Sequence, residues 1–324
     1  MSSDTSLQHI RFLHTVATLY HLEGRTQANI AELLNVSRTK VLRALQEARA
    51  RGIVQITVVD PAATNQALEA ELVSRLGLAK AIVVEGSLSD PAFSRERVGH
   101  AAARYLEESL APDATVGLGW GRTLYNVVHA LEPRRDRNVR VIPLLGGLGK
   151  IAPSFQVHDM ARVVSERLGG TWMTFYVPAI VDSAAAHASL LASTDVSEVT
   201  TAWSSLDVAV VGIGNIDLGR EVEMLFADYL DDHSRKRLQA SGAVGDICMR
   251  FFDQSGQPVS TLPYLFSVEL DQLRAVPRVV AAACGASKGA AILGAIRGGY
   301  VDVLVTDASA AQEVLRLCDN EVRS

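Results

Sequence analysis

Cysteine is scarce in this chain of 324 residues: only Cys248, Cys284 and Cys318, widely spaced and without a Cys-x-x-Cys pair. That argues against a disulfide framework and for reduced core thiols in a cytoplasmic protein. The eight histidines are scattered, with no His-x-x-x-His or His/carboxylate cluster at metal spacing, so neither a metal nor a cofactor is expected. No apolar run approaches the roughly eighteen residues of a membrane span. The N-terminus also lacks the basic-then-apolar pattern of a secretion signal. Internal repeats and low-complexity tracts are missing as well. The net charge, −5, is too small to mark the whole chain as a binder of polyanions.

Its distribution says more. Residues 1–56 hold seven Lys and Arg against four Asp and Glu, net +3, which leaves −8 for the rest. A basic end on an acidic body fits a small polyanion-binding module joined to something else. Within 26–52 the apolar residues Ile30, Leu33 and Leu34 recur at helical spacing, Asn35-Val36 interrupts them, and Val41, Leu42 and Leu45 resume the period. This predicts two short helices and a tight turn. Thr26 and Ser37 stand where N-caps belong, small Ala31 allows a close crossing opposite Val41, and Val36 plugs the turn. Between Ser37 and Gly52 the charges are Arg38, Lys40, Arg43, Glu47, Arg49 and Arg51, five positive against one negative, which suits a phosphate-lined groove. A solvated arginine face is the alternative. A further helix over 7–22, with Ile10, Leu13, Val16, Ala17 and Tyr20 on one face, would complete a three-helix head. The β-branched run 53–59 reads as a strand, a possible wing.

The residues placed toward DNA are Thr26 and Gln27 at the start of the first helix, with Ser37, Arg38, Thr39, Lys40 and Arg43 near the start of the second. Arg49 and Arg51, further along, fall where phosphate contacts are made. The domain reading is 1–59 for a winged helix-turn-helix head, 60–77 for a connecting helix and 78–324 for a second domain. Leu68, Leu72 and Leu76 give the connecting helix a stripe that packs on its own domain or on a second copy.

From residue 78 onward, strand patterns at 81–84, 115–118, 139–144, 172–177, 208–213, 279–283 and 303–305 alternate with amphipathic helices at 95–110, 123–131, 156–168, 286–297 and 308–317. Such alternation predicts an α/β, doubly wound, mostly parallel sheet whose ligands bind beyond the strand carboxyl ends. Glycines collect at those ends: Gly119-Trp120-Gly121-Arg122-Thr123, Gly146-Gly147-Leu148-Gly149-Lys150, Gly212-Ile213-Gly214-Asn215 and Cys284-Gly285-Ala286-Ser287-Lys288. Each junction of this kind can offer backbone amides and a helix N-terminus to a phosphate or carboxylate, with Arg122, Thr123 and Lys288 adding to them. None has the P-loop spacing or the three glycines of a dinucleotide fingerprint. Trp120 can stack on a sugar or simply pack, and Gln156 and His158 follow the 146–150 loop.

The segments GAVGDI and RFFD (242–253), with GWGRT, LLGG, VGIGN, ACGASK and GGYVDVLVTD (298–307), resemble the SorC family of sugar-responsive bacterial transcriptional regulators. The likeness covers nearly the whole chain. It implies an operator-binding head on double-stranded DNA and an effector domain similar to sugar-phosphate isomerases and deaminases. It also implies a homodimer or homotetramer and a phosphorylated sugar or related metabolite as effector. Carried over by motif, the pocket comprises Gly119, Gly121, Arg122, Thr123, Gly146, Gly147, Gly212, Gly214, Asn215, Asp246 and Lys288. Asp246 would accept from sugar hydroxyls or cap a loop amide, and Lys288 would neutralise phosphate. Gly285-Ala286 departs from the double glycine of that turn. The competing reading is a sugar-phosphate isomerase or deaminase fused to a DNA-binding head, for which Asp246 is the sole pocket acid in view and no catalytic pair is apparent.

Overall fold

Capping decides where the first helices begin. In α1 (Ser2–His21), α2 (Gln27–Leu33) and α3 (Arg38–Ala50), the last two start after Thr26 and Ser37, whose hydroxyls accept from the amides of Asn29 and Lys40 at 3.2 Å. The chain reverses between α2 and α3 at Asn35, which sits in the left-handed region at φ 50°. Leu13 and Val16 of α1, Ile30 and Ala31 of α2, and Val41, Ala44, Leu45 and Ala48 of α3 form the core, with Val36, Ile53 and Val54 half-buried against it. Three apolar residues expected in that core lie outside it: Ile10, Leu33 and Leu42 are exposed. The buried stripe of α3 runs 41, 44, 45, 48, so Leu42, about 100° further round the helix, is carried off it. The wing expected over 53–59 lies, beyond Val54, outside the described residues.

The computed structural model describes residues 2–54, 64–87, 90–149, 156–216, 236–238, 240–260, 262 and 264–322. These fall into two compact units, Met1–Asp60 and Pro61–Ser324. The second begins with α4 (Gln66–Leu76), whose leucine stripe packs on its own unit, Leu72 being fully buried. Glu69 accepts from the Val83 amide at 2.9 Å, and Arg75 pairs with Asp319 at 2.6 Å.

Beyond α4 the chain builds a seven-stranded parallel sheet. Its strands are β1 (Lys80–Val84), β2 (Thr115–Leu118), β3 (Arg140–Pro143), β4 (Thr171–Trp172), β5 (Val208–Gly212), β10 (Val279–Ala282) and β11 (Val303–Asp307), in the order β1-β11-β10-β5-β2-β3-β4. Alternate residues feed two cores, one on each face. Val210, Val280, Ala282 and Val305 join the side covered by α5 (Pro91–Ser109), α6 (Arg122–Ala130) and α7 (Val157–Leu168). Ala209, Val211, Val279, Ala281 and Leu304 join the side covered by α8 (Ala184–Leu191), α9 (Thr194–Ala202), α10 (Leu270–Arg274), α11 (Gly289–Arg297) and α12 (Ala308–Val322), although α8 itself buries no residue. The expected 172–177 strand pairs only through Thr171–Trp172, after which Phe175 and Val177 turn into the core. Residues 286–297 are a 3-10 turn, Ala286–Lys288, followed by α11.

A second, antiparallel sheet, absent from the sequence reading, joins β6 (Gly214–Asn215), β7 (Ala243–Ile247), β8 (Arg250–Asp253) and β9 (Pro258–Val259). Its central hairpin turns on Cys248 and Met249, both left-handed at φ 50° and 66°. Two such residues in a two-residue loop make a twist-matched hairpin, without the glycine that usually relieves it.

Helices α5 and α6 cross where α5 has no side chain: a Cβ on Gly99 would lie 2.5 Å from Cβ of Asn126. Gly99→Ala is therefore expected to destabilise the chain by about 1–3 kcal/mol through overpacking, outweighing the roughly 1 kcal/mol that alanine gains in helix propensity. Urea unfolding measures the difference.

Candidate functional sites

Helix α3 presents two unlike faces. Val41, Ala44, Leu45 and Ala48 face the head core, while Arg38, Thr39, Leu42, Arg43, Gln46 and Arg49 are exposed. Arg38, Arg43 and Arg49 have no ion pair among the described residues. Two other cations of the expected interface are engaged within the head. Lys40 Nζ sits 5.1 Å from the centroid of the Phe12 ring, and Arg51 pairs with Glu47 at 2.7 Å. His9 Nε2 reaches both Glu47 oxygens, at 2.9 and 3.0 Å. This bond, with the Arg51 charge behind it, holds Glu47 below the usual carboxylate range. The one acid of the helix is thereby offset. Thr26 spends its hydroxyl on Asn29, and Gln27 is half-buried.

The second site lies where the strand order reverses, between β2 and β5, the place where open α/β sheets bind ligands. Gly119 at the end of β2 donates to Val210 at 2.9 Å, and the Cys248 turn packs over it. Gly121, at φ 127°, is the N-cap of α6 and supplies no side-chain acceptor to the first-turn amides, where Arg122 and Thr123 sit. Across from them, Gly214 pairs with Asp246 in the β6–β7 ladder, and a Cβ on Gly214 would overlap Asp246 Oδ1. Only glycine leaves the carboxyl room. Asp246 Oδ2 accepts from the Met249 amide at 3.0 Å, while Oδ1 is buried without a hydrogen bond. Lys288 donates from Nζ to the Ile213 carbonyl at 2.7 Å, and Asn215 donates to the Ser287 carbonyl at 3.3 Å.

Burial pushes Asp246 up to about 6, against the Met249 hydrogen bond and the Lys288 charge. Burial lowers Lys288, against the charges of Asp246 and Cys284, and Arg122 and Arg95 lower it further. Cys284 is raised to about 11 by burial and by Asp307, even though Thr123 hydrogen-bonds to it. Burial also holds the Cys248 thiol far above its ordinary value. Both thiols are therefore neutral.

Of the expected pocket residues, Gly119, Arg122, Thr123, Gly212, Gly214, Asn215, Asp246 and Lys288 are linked by these contacts, with Gly212 lying under the Trp120 carbonyl. Gly146 and Gly147 serve another junction. Their amides go to the carbonyls of Phe266 and Val177, at 2.8 and 2.7 Å, which leaves neither for an anion. The Gln156 side chain closes the loop beside them on both backbone groups of Leu148, and His158 lies against the Tyr176 ring at a 47° tilt with its Nδ1 buried and unbonded. Lys150 lies outside the described residues. The sequence reading missed Arg95, Cys284 and Asp307. Arg95 entered only as the start of the expected helix over 95–110. Asp307 could have been found as a cap, since it accepts from the amides of Gly285 and Ala310. Among the described residues no group of His, Cys, Asp and Glu is placed to hold a metal ion, and no helix is long and apolar enough to cross a membrane.

Residues 60–316 match the family model described as "Putative sugar-binding domain". The chain is 32% identical over 313 residues to the Sorbitol operon regulator of Klebsiella pneumoniae, covering 95% of this chain and 98% of that protein. The Deoxyribonucleoside regulator of Bacillus subtilis (strain 168) is 30% identical over 301 residues, 92% of this chain and 95% of that one. Among solved structures, the full-length Sorbitol Operon Regulator SorC from Klebsiella pneumoniae superposes with a TM-score of 0.74 at 30% identity, over 94% of this chain and 98% of that chain.

The Asp246 environment fixes the sign of a pH effect. Its folded value, about 6, exceeds the ordinary 3.8, so the folded chain keeps a proton that the unfolded chain releases between about pH 4 and 6. Stability from this group is fully present below that window and lost as pH rises through it. Wild type should lose stability relative to Asp246→Asn as pH is raised from 4 to 6, which urea melts at pH 4, 5 and 6 measure.

Proposed function

This chain belongs to the SorC family of transcriptional regulators, and we propose that its first unit reads an operator while its second senses a phosphorylated sugar or related carbohydrate metabolite. In this reading residues 1–59 are the DNA-binding head and 78–324 the effector domain, with 60–77 between them. The observation that carries it is the charge set at the β2/β5 switch point: Arg95, Arg122 and Lys288 face Asp246 and Asp307, beside an uncapped helix start. An anion there meets an excess of positive charge and the positive end of the α6 dipole.

Binding without turnover suits the carboxylates. Asp246 is tied to the Met249 amide and pressed on Gly214, and Asp307 is spent on Gly285, Ser309 and Ala310. Asp307 is thereby committed, and Asp246 has no second carboxylate free to share proton transfer at a bound sugar. In the head, Arg38, Thr39 and Arg43 reach base edges, and Arg49 takes phosphate. A homodimer or homotetramer places two heads on two half-sites, in the cytoplasm where the operator is. A coupling of about 1–3 kcal/mol between effector and operator is enough to switch occupancy.

Two measurements test this. Arg38→Ala should weaken specific binding by about 1–3 kcal/mol and relax preference at one base pair, whereas equal loss on random DNA with a salt slope lowered by about 0.9 would make Arg38 a phosphate contact. In thermal-shift assays a cognate sugar phosphate at about one hundred times its Kd should stabilise the chain by about 2.7 kcal/mol. The same compound should do far less for Lys288→Met. A response to unphosphorylated sugars alone would overturn the phosphate part of the reading, and steady product formation would favour an enzyme.

A further inference from the structure

Leu42 is the large apolar side chain left open on α3, 43% exposed on a helix whose Val41, Ala44, Leu45 and Ala48 are buried. It stands one turn after Arg38 and one turn before Gln46, so these three form a row along the outward face. The open part of this side chain gains nothing from being apolar in the isolated head. It gains only against an apolar group brought by a partner. The partner that Arg38, Arg43 and Arg49 suit is a duplex, and a docking that lands those cations on it carries Leu42 into the groove between them. The apolar group that base edges offer in the major groove is the C5 methyl of thymine, while the groove walls are anionic sugar-phosphate.

We propose that Leu42 packs on a thymine methyl in the major groove and selects a T·A pair at that position of each half-site. This rests on the operator-binding reading of the head. It adds a specificity determinant that acts by apolar contact, whereas the arginines act by charge and hydrogen bonds. An Arg38 that reads guanine would then have thymine read beside it.

The test uses the full chain and a randomised duplex pool. After selection at low salt, the enriched duplex is resynthesised with each thymine in turn replaced by deoxyuridine, which removes the methyl and leaves the pairing edge intact. At one thymine per half-site, deoxyuridine should weaken wild-type binding about fourfold, equivalent to about 0.8 kcal/mol for one buried carbon. Leu42→Ala, a substitution at an exposed helical position, should bind the thymine and deoxyuridine duplexes equally. If no thymine responds, or if Leu42→Ala keeps the fourfold difference, Leu42 does not read a methyl. A pool with no enriched sequence removes the operator reading itself, and the inference with it.

Discussion

A buried carboxyl group resting on a glycine organises the body of this protein. Asp246 occupies the space that a side chain at Gly214 would fill, and this one contact brings three segments into register. The β6–β7 ladder presents the acid, the Cys248–Met249 turn ties back to it through the Met249 amide, and the turn carrying Lys288 answers its charge. Burying an acid is unfavourable unless its charge is met or it takes a proton. Here both remedies are within reach, one from Lys288 and one from solvent at mildly acidic pH. A site balanced between them responds to any further charge placed beside it.

That turn carries strain as well. Two non-glycine residues in left-handed conformation are held by the Asp246 bond on one side and by Ser267, whose hydroxyl donates to the Cys248 carbonyl at 2.6 Å, on the other. Strain kept in place by surrounding bonds is a common property of sites that move or bind. Helix α3 follows another economy: its acid, Glu47, is engaged from within the head by His9 and Arg51, and Lys40 lies over Phe12, so the cations of this helix left outward are Arg38, Arg43 and Arg49.

Much of this was legible in the chain, for local reasons. Thr26 and Ser37 cap because a hydroxyl beside the first turn has few other partners, and β2 is a short apolar run bounded by glycine, so both can be read residue by residue. The antiparallel sheet escaped because β7 is AVGDI, with a glycine and an acid where a strand usually shows alternating apolar residues. The 172–177 strand was overextended because Phe175 and Val177 are apolar for the core, not for the ladder. Gly146 and Gly147 look like an anion loop in one dimension, yet in three their amides meet carbonyls from Phe266 and Val177. Arg95 lies on α5, far from every glycine loop in sequence, and only the sheet order brings it near Cys284 and Lys288. Leu42 was read with the core because it adjoins Val41, and adjacency along a chain is not adjacency on a helix.

The strand order also bears on how the molecule comes into being. β1, made early, lies at the sheet edge with β11 as its neighbour, and α4 is fastened to α12 by Arg75 and Asp319. The head closes on contacts among α1, α2 and α3, all near the start of the sequence, so it can be complete while the ribosome is still occupied. The body's opening strand must wait, unmatched, until β11 emerges. A message truncated before β11 would thus release a finished head on a body whose first strand lacks its partner.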